Sequence, residues 1–102
     1  MLLTREPRFI RIYKAIKPHL SEFEISRIRL FGSFAKGTST PKSDIDIILD
    51  IHKPIGIYRF IGLKQELETK LDRKIDLFEP DNLDPNLKEQ IITEAITIYE
   101  QR

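Results

Sequence analysis

Three aspartates and a glycine–serine pair carry the chemistry most visible in this chain. Asp44-Ile45-Asp46 sets two carboxylates two residues apart, and in an extended strand such residues share a face. Two acids a few ångströms apart repel, and each raises the other's pKa unless something positive stands between them; a divalent cation is the simplest candidate. Oxygen-only ligands favour Mg²⁺ or Mn²⁺ over zinc, and Mg²⁺ is commonly held by one or two carboxylates together with phosphates and water. Asp76 lies between Ile75 and Leu77, where a lone acid is costly unless its face opens onto a site. With its strand beside the strand of Asp44 and Asp46, Asp76 can complete a three-carboxylate cluster. Such a cluster can hold two metals about 3.5–4 Å apart, a clamp that activates an attacking oxygen and stabilises a leaving one in phosphoryl or nucleotidyl transfer.

Upstream, Gly32-Ser33 ends an apolar run and precedes Phe34-Ala35-Lys36, a stretch short enough for one helical turn. Glycine lets a phosphate approach the backbone, a serine hydroxyl can donate, and free amides at a helix start attract an anion. Lys36 adds a positive charge nearby. Each feature has a plainer reading: Gly-Ser as an ordinary turn, Asp-x-Asp as a solvated strand face, Asp76 as a partner for Lys74. Their conjunction favours the site. Asp50 shares the parity of Asp44 and Asp46 but lies four residues beyond Asp46, too far for one metal at about 3.3 Å per residue. His19 and His52 fall at expected element ends with no second ligand at metal spacing. Tyr13, Tyr58 and Tyr99 read as core or interface rims, and Arg5, Arg8, Arg11, Lys14 and Lys17 as the wet side of the first helix.

The elements that must position these residues follow from periodicity. Phe9, Ile12, Tyr13, Ile16 and Leu20 mark a helix from Thr4 to about Leu20, with Thr4 as N-cap, Pro7 in the first turn and a break near Lys17 imposed by Pro18. Ile25–Phe31 and Asp44–Asp50 read as strands, separated by a polar loop from Phe34 to Ser43. A helix is expected from after Pro54 to about Leu71, burying Ile57, Phe60, Ile61, Leu63, Leu67 and Leu71. Gly56 and Gly62 weaken it by roughly 1 kcal/mol each relative to Ala. Lys74–Phe78 is a third strand. Asp84-Pro85 opens a last helix, through Leu87, Ile91, Ile92, Ala95 and Ile98 to the end of the chain. The strand–helix–strand connection makes the second and third strands parallel. The fold class is α/β (α+β), a small mixed sheet flanked by helices.

Composition narrows the functions. A chain of 102 residues suits one domain spanning 1–102, with no room for a second. The absence of cysteine excludes disulfides, thiolate metal sites and a Cys nucleophile. A net charge of +1 gives no broad basic field for wrapping duplex nucleic acid. No apolar run reaches the roughly 20 residues of a membrane span. Met1 to Glu6 lacks the order of a signal peptide. A cytoplasmic location is expected.

Gly32-Ser33, ten intervening residues, Asp44-Ile45-Asp46 and then Asp76 in KIDLF resemble the nucleotidyltransferase motif of the DNA polymerase beta superfamily. The wider string GSFAKGTSTPKSDIDIILD resembles the minimal nucleotidyltransferases, MNT proteins that act as antitoxins beside HEPN ribonuclease toxins. Lys36 stands where the family often has arginine; it keeps the charge and loses the bidentate fork. The resemblance implies a polymerase-beta-like core and transfer of AMP from ATP to a hydroxyl, in the family a tyrosine of the cognate HEPN toxin, with pyrophosphate leaving. It implies Gly32, Ser33, Lys36 and Ser43 as nucleotide-binding residues. Asp44 and Asp46 would ligate two Mg²⁺ ions (Mn²⁺ as an alternative), with Asp76 on the catalytic ion and placed to take the acceptor proton. So short a chain implies that a docked partner supplies specificity, through apolar residues of the last two helices that could equally make a homodimer contact. Two other readings stand: a binding module that neutralises by occlusion, and nucleotidyl transfer to RNA or a small molecule such as an aminoglycoside.

Overall fold

The computed structural model describes residues 1–101. Helix α1 (Pro7–Ile16) starts at its proline, whose fixed φ suits the first helical position. The cap is Glu6, whose carboxylate accepts the Arg8 amide at 3.3 Å. Thr4, the expected cap, instead accepts the Glu6 amide through its hydroxyl at 3.0 Å. Pro18 ends the helix as anticipated, in a 3-10 turn over Lys17–His19.

Strands β1 (Ile25–Phe31) and β2 (Ile45–Ile51) pair antiparallel across helix α2 (Gly32–Lys36) and a polar loop. Helix α3 (Ile57–Leu71) then crosses to β3 (Ile75–Phe78), which runs parallel to β2 as the crossover requires. Helix α4 (Lys88–Glu94) leads into β4 (Ile96–Glu100), antiparallel to β1. The mixed sheet has the order β3-β2-β1-β4. No helix among the described residues is long and apolar enough to cross a membrane.

One face of the sheet packs on α1 and α3. Ile45, Ile47 and Leu49 of β2 join Ile75 and Leu77 of β3 and Ile98 of β4 in a core with Phe9, Ile12, Ile16, Leu63 and Leu67. Each such side chain contributes roughly 1.5–3 kcal/mol on burial. Strand alternation sends Asp46, Ile48 and Asp50 to the opposite face. There Asp50 pairs with Arg27 at 3.7 Å and Arg29 at 3.5 Å, a structural ion cluster.

Two expectations about the helices need correction. Ile57 and Ile61 of α3 are 65% and 41% exposed. The core-facing stripe is Phe60, Leu63, Leu67 and Leu71, and Ile61 lies about 100° around the helix from Phe60. The last helix does not start at Asp84 or run to the end. Asp84 caps a turn by accepting the Asn86 amide at 2.9 Å, α4 begins at Lys88, and Ala95 leaves it in extended backbone. The spacing of Ile91, Ala95 and Ile98 mimics a helix face. The β-branched run Ile96-Thr97-Ile98 instead pairs with the edge of β1, and Ile98 is fully buried there.

Candidate active site

Register assembles the site. Asp46 of β2 is the parallel partner of Asp76 in β3 and the antiparallel partner of Phe31 in β1, so the three form one row across the sheet. Directly after Phe31 the chain turns at Gly32, whose φ is +72°. A Cβ on Gly32 would overlap the Oδ2 of Asp46. Only glycine combines that left-handed turn with so close an approach to a carboxylate. Asp44 stands one residue before β2, on the same side of the alternation as Asp46.

The electrostatics follow from this crowding. The Asp46 carboxyl is pushed up to about 6, first by burial, then by the charges of Asp76 and Asp44, and by a hydrogen bond shared with Asp76. Among the described residues none of the three acids forms a salt bridge. Nor do any three acidic or imidazole side chains converge tightly enough to enclose a cation unaided. The acids therefore make an open, uncompensated cluster of oxygen donors. That donor set fits a hard divalent cation that keeps part of its water or phosphate shell.

Gly32 and Ser33 are the first two residues of α2, beside this cluster, and Gly37 ends the helix with a φ of +76°. Lys36 is exposed in the last turn of α2 and borders a cleft of about 120 Å³, shared with Phe31, Gly32, Ala35, Ile91 and Glu94. The Ser43 hydroxyl closes the loop before Asp44, accepting the Thr40 amide at 3.0 Å. Two residues of the site's surroundings escape the sequence reading. Phe31 and Phe78 meet across β2 with ring centroids 5.5 Å apart, an aromatic wall beside the acids. Their parity was the available signal, since Phe78 lies two residues beyond Asp76 and Phe31 opposite Asp46. A larger cleft, about 400 Å³, lies at the other end of β1 and β2, around Glu24 and His52, away from the three acids.

A glycine–serine turn closed on a paired-acid sheet row is an arrangement suited to holding phosphates and a cation, and this chain belongs to the polymerase beta nucleotidyltransferase family, which matches residues 14–102. Within the family it groups with small proteins named as protein adenylyltransferases. Protein adenylyltransferase MntA of Thermococcus cleftensis is 30% identical over 85% of this chain and 89% of its own length. MJ0126 of Methanocaldococcus jannaschii, provisionally named a protein adenylyltransferase, is 34% identical over 85% of this chain and 91% of its own. Among solved structures, a toxin–antitoxin with AMP-PNP superposes with a TM-score of 0.76 at 26% identity, covering 91% of this chain and 73% of that one. A minimal nucleotidyltransferase superposes with a TM-score of 0.74 at 28% identity, covering 92% and 95%.

Proposed function

We propose that this protein is an antitoxin that transfers AMP from ATP to a hydroxyl of a cognate HEPN ribonuclease toxin, a tyrosine by preference, and so silences it. The observation that carries the reading is the register pairing of Asp46 with Asp76 against Gly32. It occurs in a chain similar to MntA along most of its length. Gly32 lies against Asp46 and opens the helix that carries Ser33 and Lys36; the three would meet a triphosphate through backbone amides, a hydroxyl and an ammonium. Ser43 acts one step removed, shaping the loop that delivers Asp44.

In the reaction the acceptor oxygen bonds to the α-phosphorus and the bond to the β-phosphate oxygen breaks. Pyrophosphate leaves with that electron pair. The hydroxyl proton would pass to a carboxylate, and Asp76, in the edge strand of the row, is the acid this reading assigns. Asp44, Asp46 and Asp76 would hold Mg²⁺, which supplies charge neutralisation for the phosphates and activation of the attacking oxygen. Ionised Asp46 is destabilised by burial and then by its acidic neighbours, so a cation would also supply the countercharge that the protein itself leaves out. A cytoplasmic location accords with ATP as substrate and a ribonuclease as target.

Intact-mass spectrometry of the HEPN protein that co-purifies with this chain tests the reading. With ATP and Mg²⁺ the toxin gains adenylyl units, and with EDTA it gains none. An unchanged toxin mass under the first condition sinks the proposal. Neutralisation that survives in a folded Asp44→Asn/Asp46→Asn variant would point to occlusion instead.

A further inference from the structure

Asp44 lies outside any strand, so something other than sheet pairing must hold it. The two peptide groups flanking it are both fixed by one dipeptide, Arg73-Lys74, just before β3. On one side the Ser43 carbonyl accepts from Arg73 Nη2 at 2.9 Å, and on the other the Ile45 amide donates to the Lys74 carbonyl at 2.9 Å. Arg73 Nη2 also donates to the Thr40 carbonyl at 3.0 Å. Among the described residues, every other hydrogen bond of residues 38–43 stays within that segment or returns to Ser33.

The same guanidinium reaches the third part of the site. Its Cζ lies 5.6 Å from the ring centroid of Phe34, the buried residue of α2 that follows Gly32-Ser33. The Arg73 Nε is buried without a partner in the protein, while the residue as a whole is half-buried and borders a cleft of about 140 Å³ with Phe34 and Ile45. Asp76 follows Arg73 by three residues along the same backbone. One planar cation therefore touches the helix that begins with Gly32-Ser33 and the loop before Asp44, and it sits on the segment that leads into Asp76. Both bonds leave a single Nη2, and the same planar group lies against an aromatic ring, a combination that a compact ammonium does not reproduce.

We propose that Arg73 is a positioning residue of the active site, locking residues 38–43 so that Asp44 is held against Asp46 and Asp76. The proposal rests on the reading of Asp44 as a functional carboxylate. Two variants test it on the full chain. Arg73→Met keeps an unbranched stem and removes the donors, and Arg73→Lys keeps the charge without the planar group that lies over Phe34.

Amide hydrogen exchange of residues 38–45 should accelerate about tenfold or more in Arg73→Met, as expected for losing bonds from a charged donor, while exchange in β1 stays as in wild type. The rate constant kcat for adenylyl transfer should fall by about 10–100-fold, the range for residues that orient ligands from behind, with a smaller change in KM for ATP. Arg73→Lys should recover part of both. Unchanged exchange at 38–45 overturns the proposal, and so does accelerated exchange with kcat intact. A wild-type protein without transfer activity would sink the reading of function, and the exchange arm would still decide whether Arg73 locks the loop.

Discussion

Replacing Asp46 by asparagine should make the protein more stable at neutral pH while abolishing adenylyl transfer. Asp46 ionises with a pKa of about 6 in the folded chain against 3.8 for the free side chain. Because the folded value is the higher one, the native state holds this proton more tightly than the unfolded chain does. Stability from this group is therefore greatest below about pH 4 and is lost as pH rises through 6. A rise from 3.8 to about 6 corresponds to about 3 kcal/mol at full strength. Solvent screening of a half-buried group reduces that to about 1–2 kcal/mol. The asparagine side chain keeps the shape, removes one of three crowded charges and escapes the penalty. For a domain of this size the gain corresponds to a Tm increase of about 5–10 °C. Thermal unfolding in EDTA at pH 7.5 and pH 4 measures it: the variant should gain at pH 7.5, and most of that gain should vanish at pH 4. A variant less stable than wild type at pH 7.5, or one with the same gain at both pH values, would refute the argument that burial and then the neighbouring carboxylates oppose ionisation of Asp46 in the native state.

Two further expectations concern the turn and the sheet. Gly32→Ala should cost roughly 1–2 kcal/mol for its left-handed backbone alone; because its methyl overlaps Asp46 Oδ2, adenylyl transfer should fall by at least about 100-fold, checked by initial rates beside urea unfolding. Ile98→Ala should destabilise by about 2–5 kcal/mol, as for a filled core position, whereas Ile57→Ala on the exposed side of α3 should stay within about 0.5 kcal/mol; equal losses in urea unfolding would contradict the assignment of Ile98 to a buried strand.

The site's acids were legible because their logic is local: parity joins Asp44 to Asp46, and the length of the crossover fixes β3 parallel to β2, which brings Asp76 alongside. Gly32 was legible as a turn, but the reason it must be glycine lies across the sheet, at a carboxylate fourteen residues away in sequence. The fourth strand was hidden by coincidence of period, since Ile91, Ala95 and Ile98 fit a helix while the neighbours of Ile98, Thr97 and Tyr99, pair with the free edge of β1. The burial of α3 was overread because Ile57 and Ile61 extend an apolar stripe beyond the width the sheet can cover. Arg73 gave no signal: its partners are backbone carbonyls about thirty residues away, and carbonyls carry no sequence identity.

The pairing of Asp46 with Asp76 also bears on how faithfully the sheet can assemble. If β3 docked one residue out of step, Asp76 would turn into the layer now filled by Ile75 and Leu77, and those two would turn outward. An ion in that layer, or the loss of both apolar anchors, would cost several kcal/mol, a large fraction of a small domain's stability. A slip of two residues would keep the apolar side inside but would break the Ile45 amide's bond to Lys74 and carry Arg73 off its carbonyls. The acids of the candidate site thus also mark the correct alignment of the strands that carry it, so chains that fold into a lasting sheet are chains in which the acids have already met.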